Sequence, residues 1–276
     1  MRGSLYIAGS IIPSLCLPLL AKMAQRYVIC PYYHTVSDTP LPHLHSLYKP
    51  RSVNEFKADL DWLLAHYKPI KWSDIDYYEQ TKQPAFCLTF DDGFKEFYTI
   101  VAPILIEKRI PCVCFLNSAF IDNQAMLERC KKALAQKNID WQQYLRAQQP
   151  YMTYKQVKEL QEQGLEFGSH SVSHPHYEEL NYDEQLAQSL DCDKVLREHQ
   201  LLPHRLFSFP FGQGHLDSLE VALQTGTHEA VFGTGNMRPA PRNMYNRIWM
   251  ENTHASARSI VFGEYLREIA HRLLHD

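Results

Sequence analysis

The sequence predicts an α/β barrel with parallel strands. Seven short apolar runs alternate along the chain with segments of helical periodicity, which is the pattern of repeated βα units. Several of these runs end in histidine, aspartate or glycine, and such residues are expected where barrel strands reach a catalytic rim. A chain of 276 residues, 45% of them hydrophobic, is long enough for a single barrel with a large core.

Each predicted strand is a short apolar run bounded by turn-forming or charged residues. The run from Phe86 to Phe90 is an example, because it is aromatic and aliphatic and lies between Pro84 and Gly93. Seven runs fit this description: residues 26–33, 86–93, 110–116, 165–169, 206–209, 230–232 and 246–249.

Segments with helical spacing separate the strands. The clearest covers residues 54–67, where Ser52 is the expected N-cap and Glu55 completes a capping box. Further helices are predicted at residues 94–108, 154–163, 183–198, 216–224 and 256–274. Residues 125–150 are polar and helix-prone but too short for a core of their own, so we expect them to form a helical insertion.

Residues 1–25 form an apolar N-terminal segment that we separate from a catalytic domain at residues 26–276. The apolar stretch from Leu5 to Leu20 is interrupted by two prolines and is shorter than the roughly 20 residues that cross a bilayer. Its basic flank and cleavage site are poor for a secretory signal. We expect the segment to pack on the domain or to contact a membrane peripherally.

Composition restricts the partners and the compartment. A net charge of −3 and the lack of a basic run argue against nucleic acid as a main partner. The seven cysteines are odd in number and form no Cys-x-x-Cys pair, so we interpret them as reduced core residues. This favours a cytoplasmic location, with a periplasmic or membrane-associated one as the alternative. Nothing in the sequence indicates the oligomeric state.

Two adjacent carboxylates end the second predicted strand. Neighbouring strand residues point to opposite sides, so Asp91 and Asp92 can face one cavity only if the strand ends there. At a strand end, the pair could provide a metal ligand beside a general base. The alternative is an ordinary turn, since Asp-Asp-Gly is a common turn sequence.

A pair of histidines follows the fourth predicted strand. His170 and His174 are four residues apart, which allows two imidazoles to converge on one ion. With Asp92 as a third ligand, they would make a site with a free coordination position, as in catalytic metal centres. A solvated loop is the alternative in a chain with 14 histidines.

The two motifs together resemble those of a known family. Thr89-Phe90-Asp91-Asp92-Gly93, followed by His170-Ser171-Val172-Ser173-His174, is similar to the signatures of the polysaccharide deacetylases (carbohydrate esterase family 4, the NodB-homology domain). Residues 207–212 resemble the third motif, and the likeness covers about residues 27–249. The resemblance implies a distorted (β/α)7 barrel, a divalent metal and hydrolysis of N-acetyl groups on an amino-sugar polysaccharide or glycan precursor.

The resemblance also implies roles for individual residues. Asp92, His170 and His174 would hold the metal, most often Zn²⁺, although Co²⁺, Ni²⁺ and Fe²⁺ tolerate the same ligands. Asp91 would be the general base, and the backbone N–H of Phe211 would help to bind the oxyanion. Other functions that use these residues are hydrolysis of a small non-sugar amide and glycan binding without catalysis.

The chain departs from the family pattern in two places. Ser208 stands where many members carry an arginine that steadies the base, and Arg247 is our candidate replacement, with a surface arginine as the alternative. The late Leu-x-Leu-x-His motif that supplies the general acid is missing. His34, at the end of the first strand, resembles the acid histidine of the branch that deacetylates poly-β-1,6-N-acetylglucosamine, and we prefer it to His254.

Overall fold

The computed structural model describes residues 2–212, 228–233, 244–251 and 253–275. Parallel strands form one sheet that closes on itself, as the barrel prediction requires. The described strands are β1 (Val28–Tyr33), β2 (Lys68–Pro69), β3 (Ala85–Phe86), β4 (Leu88–Phe90), β5 (Cys112–Leu116), β6 (Glu166–Ser169), β7 (Leu206–Ser208), β8 (Ala230–Gly233) and β9 (Met244–Trp249). Seven of them follow one another around the barrel in the order β1-β4-β5-β6-β7-β8-β9, and β9 pairs again with β1.

The second predicted strand is split in the structure. It consists of β3 and β4, which Cys87 separates, and β1 pairs in parallel with both. The short strand β2 extends the sheet beside β3 and was not predicted. With only two residues, one of them Pro69, β2 is too short to show the alternation by which strands are recognised.

The helices agree with most of the predicted segments. They are α1 (Arg2–Ile11), α2 (Leu17–Ala24), α3 (Val53–His66), α4 (Ile75–Thr81), α5 (Ala102–Lys108), α6 (Glu128–Ala135), α7 (Trp141–Gln148), α8 (Tyr154–Glu162), α9 (Tyr182–Glu198) and α10 (Ala257–His275). The capping box predicted for α3 is present, since Ser52 and Glu55 bond to each other's backbone N–H groups. The helix α4 was not predicted, and the predicted helix at residues 216–224 lies outside the described residues.

The first and last strands close the barrel. Cys30 of β1 lies opposite Arg247 of β9, and Tyr32 lies opposite Trp249. The buried Arg26, just before β1, donates to Glu268 of α10 over 2.5 Å and to the carbonyl of Asn246. The closing pair of strands is thus tied to the last helix by a charge-assisted hydrogen bond, which is stronger than a neutral one.

The N-terminal segment packs on the barrel. Helix α1 lies against α10, and glycine makes the close approach possible, because a Cβ on Gly263 would lie 2.7 Å from a ring atom of Tyr6. The apolar face of α2 joins the main core through Leu17, Leu20, Ala21 and Ala24. In the described part of the chain, no single helix has the length and hydropathy of a membrane span. The helical segments 4–11 and 14–24, which are bent relative to each other, meet both criteria only when they are taken together. The division at residue 25 stays a prediction.

The predicted insertion contains two helices, α6 and α7. Their apolar sides form a satellite core with the loop after β1 and with residues beside β4, and this core fixes α6 at the rim of the barrel. Its buried members are Leu44, Phe94, Phe120, Met126, Leu127, Cys130, Leu134, Leu145 and Tyr151.

The cysteines are free thiols, as expected for reduced residues. Six of the seven are buried, and Cys16 is partly exposed. The cytoplasmic location that we expect on this ground stays a prediction.

Candidate active site

The predicted site residues converge at the carboxyl ends of the strands. A cavity of about 210 Å³ opens there, and its lining includes six of the seven predicted residues: His34, Asp91, His170, His174, Phe211 and Arg247. The seventh, Asp92, has a fully buried side chain directly beside the two histidines of the lining. Tyr32, Tyr48, Arg129, Gly212 and Trp249 complete the lining.

Unusual backbone conformations turn these side chains into the cavity. Asp92 has φ of 69° and Gly93 has φ of 66°, so the chain reverses sharply after β4. His174 and Phe211 also lie in the left-handed region, with φ of 59° and 57°. A non-glycine residue in this region costs about 1–2 kcal/mol, and such strain concentrates at functional sites. The reversal removes the alternation that would otherwise point Asp91 and Asp92 apart.

Asp92, His170 and His174 form a compact donor cluster. The Asp92 Oδ1 atom lies 3.7 Å from Nε2 of His170 and 3.5 Å from Nε2 of His174. All three ligand atoms lie within 4.8 Å of one another. Bonds of about 2.0–2.2 Å to a tetrahedral ion place its ligand atoms roughly 3.3–3.6 Å apart, so the spacing suits a divalent cation.

Hydrogen bonds orient two of these three groups. His170 Nδ1 donates to the carbonyl of Ser208 over 2.7 Å, which leaves Nε2 facing the cluster. Tyr48 donates from its hydroxyl to Asp92 Oδ2 over 3.1 Å. The other oxygen, Asp92 Oδ1, is buried and has no hydrogen-bond donor among the described residues. Because an unsatisfied buried carboxylate oxygen is costly, this orphaned atom fits a role as a metal ligand.

Burial sets the protonation states of the cluster. It lowers the pKa of His170 to about 4 and that of His174 to about 3, so both imidazoles are neutral at physiological pH. Burial also raises the pKa of Asp92, against the charges of nearby histidines. Neutral imidazole and ionised carboxylate are the forms that bind metals. A cation at this point would offset the cost of ionising Asp92.

Arg247 holds Asp91 in a buried bidentate ion pair. Its Nη1 and Nη2 atoms donate to Oδ1 and Oδ2 of Asp91, each over 2.7 Å, and the guanidinium stacks on the ring of Tyr32. Burial raises the pKa of Asp91, but the charge and hydrogen bonds of Arg247, together with the nearby His170 and His34, bring the pKa down to about 2. Asp91 is therefore a fixed carboxylate at any working pH. Arg247 reaches it from β9 and not from β7, where Ser208 lies.

His34 is held by a carboxylate that follows β9. Its Nδ1 lies 2.5 Å from Oε2 of Glu251, and the backbone N–H of His34 donates to Oε1 over 3.0 Å. Burial lowers the pKa of His34, but Glu251, with help from Asp92 and Asp91, raises it above the usual value. The ring stacks on Tyr48 with centroids 4.0 Å apart. Nε2 is left as the nitrogen available to the cavity.

The alternative acid, His254, lies elsewhere. Its side chain is 80% exposed beside Glu55 and Lys49, and it does not line the cavity. Three residues of the site were not predicted: Glu251, Tyr48 and Arg129. Glu251 has a detectable signal, since it lies two residues after the last strand. The other two lie in a loop and in the insertion, where no periodic pattern marks them.

The sequence profile of the polysaccharide deacetylase family matches residues 78–230, more than half of the chain. The chain belongs to the polysaccharide deacetylase family. One relative is YxkH of Bacillus subtilis (strain 168), which is named as a polysaccharide deacetylase. The two sequences are 22% identical over 218 residues. The aligned part covers 77% of this deacetylase-family chain and 67% of YxkH.

Solved structures share the fold of this polysaccharide deacetylase. The Streptococcus pyogenes deacetylase PplD matches with a TM-score of 0.66 and 17% identity, covering 85% of this chain and 96% of PplD. IcaB from Ammonifex degensii matches with a TM-score of 0.63 and 19% identity, covering 86% and 97%. These similarities establish the distorted (β/α)7 barrel.

Replacing Arg247 should expose its electrostatic role. In Arg247→Met, Asp91 keeps a buried charge without a partner, so we expect the free energy of unfolding at pH 7.5 to fall by about 3–5 kcal/mol. The measurement is urea unfolding followed by circular dichroism, with the exposed Arg146→Gln as the control. Without Arg247, burial is the main influence on Asp91 and raises its pKa, so the carboxyl of the variant takes up a proton as pH falls and its unpaired charge disappears. The loss should therefore shrink at pH 5, and an equal loss at both pH values would contradict the assignment.

Proposed function

We propose that this protein is a metal-dependent hydrolase that removes N-acetyl groups from an amino-sugar polysaccharide or glycan precursor. The observation that carries the proposal is that the two adjacent carboxylates of the site, Asp91 and Asp92, differ in their partners. Asp92 is buried beside His170 and His174, and none of the described residues donates a hydrogen bond to its Oδ1, whereas Asp91 is neutralised by Arg247. One carboxylate is thus suited to a cation and the other to a proton. Family membership supports a polysaccharide as the substrate class.

Asp92, His170 and His174 would hold the ion. A divalent ion bound there, Zn²⁺ or alternatively Co²⁺, Ni²⁺ or Fe²⁺, supplies Lewis acidity by lowering the pKa of a water molecule and polarising the acetyl oxygen. Asp91 accepts the proton that this water loses as its oxygen attacks the acetyl carbon. Because a carboxylate with a pKa of about 2 is a weak base, Asp91 holds the proton only briefly. Arg247 keeps both Asp91 oxygens in place throughout.

His34 serves as the general acid. An amine leaves only if its nitrogen is protonated as the C–N bond breaks, so a donor must face the leaving group. His34 lines the cavity with Nε2 free, and Glu251 raises its pKa, which favours the protonated form that a general acid needs. It transfers this proton to the sugar nitrogen, and the acetyl group departs as acetate. Glu251 steadies the ring and stabilises its charged form.

The remaining lining suits a sugar. Tyr32, Tyr48, Phe211 and Trp249 present aromatic rings on which a pyranose can pack. The ring of Phe211 stacks on His176 with centroids 3.7 Å apart, which fixes this part of the rim. We assign to the backbone N–H of Phe211 a hydrogen bond to the oxyanion that forms at the acetyl carbonyl.

The metal and base roles are separable by a pair of variants. In Asp91→Asn, we expect the metal content to match the wild type and the rate on N-acetylglucosamine oligomers to fall by about 10²–10⁴-fold, the usual contribution of a general base. In His170→Ala, the ion itself should be lost. Acetate release and elemental analysis of the purified protein measure the two effects.

The exposed Asp191→Asn is the matched control and should retain both properties. Near wild-type turnover in Asp91→Asn would remove that residue as the base. Full metal occupancy in His170→Ala would remove the histidine from the ligand set.

The acid assignment predicts a shift in pH dependence. Activity needs protonated His34, so it falls as pH rises through the pKa of that histidine. Because Glu251 raises this pKa, Glu251→Gln should move the alkaline limb of kcat/KM to lower pH. The measurement is a pH profile of acetate release from pH 6 to 10, with exposed Glu198→Gln as control. An unmoved limb, or a large loss in His254→Gln, would contradict the role of His34.

We also propose that the N-terminal helices contact a membrane surface peripherally. This segment carries five exposed apolar side chains at four-residue spacing in the sequence, each 48–82% exposed: Ile7, Ile11, Leu15, Leu19 and Met23. A single exposed apolar side chain is ordinary, but five in one short segment favour an interaction surface. The short and bent helix pair suits contact with the interface better than crossing it.

Vesicle binding tests this contact. We expect the protein to sediment with phosphatidylcholine–phosphatidylglycerol vesicles, and the double variant Leu15→Glu/Leu19→Glu to remain in the supernatant, because charge opposes insertion of an apolar face. Tyr77→Glu, which changes an exposed aromatic residue of α4 outside the N-terminal segment, is the control and should still sediment. Equal sedimentation of the double variant would refute the proposal.

A further inference from the structure

Arg129 is a lining residue that the proposed chemistry does not use. It lies in the first turn of α6, within the helical insertion, and its side chain reaches the cavity. The helix is anchored by Leu127, which donates its backbone N–H to Tyr151, and by the buried side chains of Cys130 and Leu134. The insertion therefore holds this arginine in a defined position at the rim.

The guanidinium of Arg129 spans two walls of the cavity. It lies 5.3 Å from the ring centre of Tyr48 and 5.0 Å from that of Phe211. Tyr48 in turn stacks on His34, and Phe211 packs edge-on against His174 with centroids 4.7 Å apart. Arg129 thus lies next to the rings that flank both the proposed acid and a proposed metal ligand. It is half-buried, whereas Asp91 and His170 are almost completely buried, so it is nearer to solvent.

Among the residues that the structure describes, no carboxylate pairs with Arg129. The adjacent Glu128 pairs with Lys131 over 3.3 Å, and the cation contacts of Arg129 are with aromatic faces. Arg247, the other arginine of the lining, is neutralised by Asp91. Arg247 therefore uses its N–H donors in an internal ion pair, whereas the N–H donors of Arg129 are available to a ligand.

We infer that Arg129 binds an anionic substituent, a carboxylate or a phosphate, on the glycan close to the acetamido group that is cleaved. This inference rests on the proposed deacetylation and specifies its substrate class. A cavity of about 210 Å³ is smaller than the roughly 300–1,000 Å³ of common ligand pockets. It therefore accommodates the acetamido group and part of one sugar, and the rest of the glycan passes the rim where Arg129 lies.

The chemistry of the guanidinium favours such a group over a neutral hydroxyl. Its planar set of donors matches carboxylate and phosphate oxygens bidentately. Stacking on two rings leaves the edge of the guanidinium, which carries the N–H groups, free to hydrogen-bond. Pre-ordering by the rings and by α6 also lowers the entropy that a long side chain loses on binding.

Three matched substrates test the inference. They are a neutral N-acetylglucosamine tetrasaccharide, the same tetrasaccharide with one C6 oxidised to a carboxylate, and the same with one C6 phosphorylated. In the wild type, kcat/KM should be higher by about tenfold or more for at least one charged substrate, the effect expected of one hydrogen bond to a charged group. The carboxylate and phosphate arms identify which anion is preferred.

The readout is the ratio of kcat/KM for the charged substrate to that for the neutral one. In Arg129→Gln this ratio should fall to about 1, and Arg129→Lys should restore part of it, since charge is kept and the fork is lost. Arg146→Gln, an exposed arginine of the same insertion, is the control and should keep the wild-type ratio. A preference that survives in Arg129→Gln, or a wild-type ratio near 1, overturns the inference.

A binding measurement separates this test from the test of the proposed function. Calorimetric titration of Asp91→Asn with the three tetrasaccharides should show the same preference for a charged substrate, and adding Arg129→Gln should abolish it. If the wild type releases acetate from none of the substrates, the proposed deacetylation fails, and the titration still decides the role of Arg129. Equal affinities for the three substrates would refute it independently of catalysis.

Discussion

The constraint that organises this rim is a buried carboxylate oxygen to which no residue in the described part of the chain donates a hydrogen bond. Asp92 Oδ1 faces two neutral imidazoles, which neither neutralise it nor donate to it. Because no described residue donates a hydrogen bond to Asp92 Oδ1, burying this oxygen costs free energy that a bound cation or the rest of the fold must offset. Left-handed backbone at Asp92 and His174 adds to that cost. The core of the barrel offsets both costs, since every residue of β1, β4, β5, β7 and β8 is buried.

Arg247 shows how one requirement can be met from a different strand. The base needs a cation that fixes both of its oxygens, and in this chain the cation comes from β9, not from the end of β7. The backbone at Ser208 is still used, because its carbonyl orients His170. One motif could both fix the base and orient His170. In this chain, Arg247 of β9 fixes the base and Ser208 of β7 orients His170. The geometry of the rim is preserved although the sequence pattern is not.

Much of the fold was predictable from local patterns, and the site was predictable where it coincided with strand ends. Asp91, Asp92 and His170 follow apolar runs directly, so their convergence could be inferred from a parallel barrel. The break at Cys87 could not, since pairing of β1 with both halves is a tertiary effect. Tyr48 was missed because its contacts with Asp92 and His34 join a loop to residues distant in sequence, where neither periodicity nor motif constrains position.

Closure of the barrel between its first and last strands has a consequence for biosynthesis. His34 and Glu251 are 217 positions apart, and Asp91 and Arg247 are 156 apart. Before β9 emerges from the ribosome, one edge of β1 in the nascent chain is unpaired. Asp91 then lacks Arg247, and His34 lacks Glu251. Contacts of such long range form late, because loop closure precedes their stabilisation. The chain therefore gains its chemistry only after β9 has been synthesised.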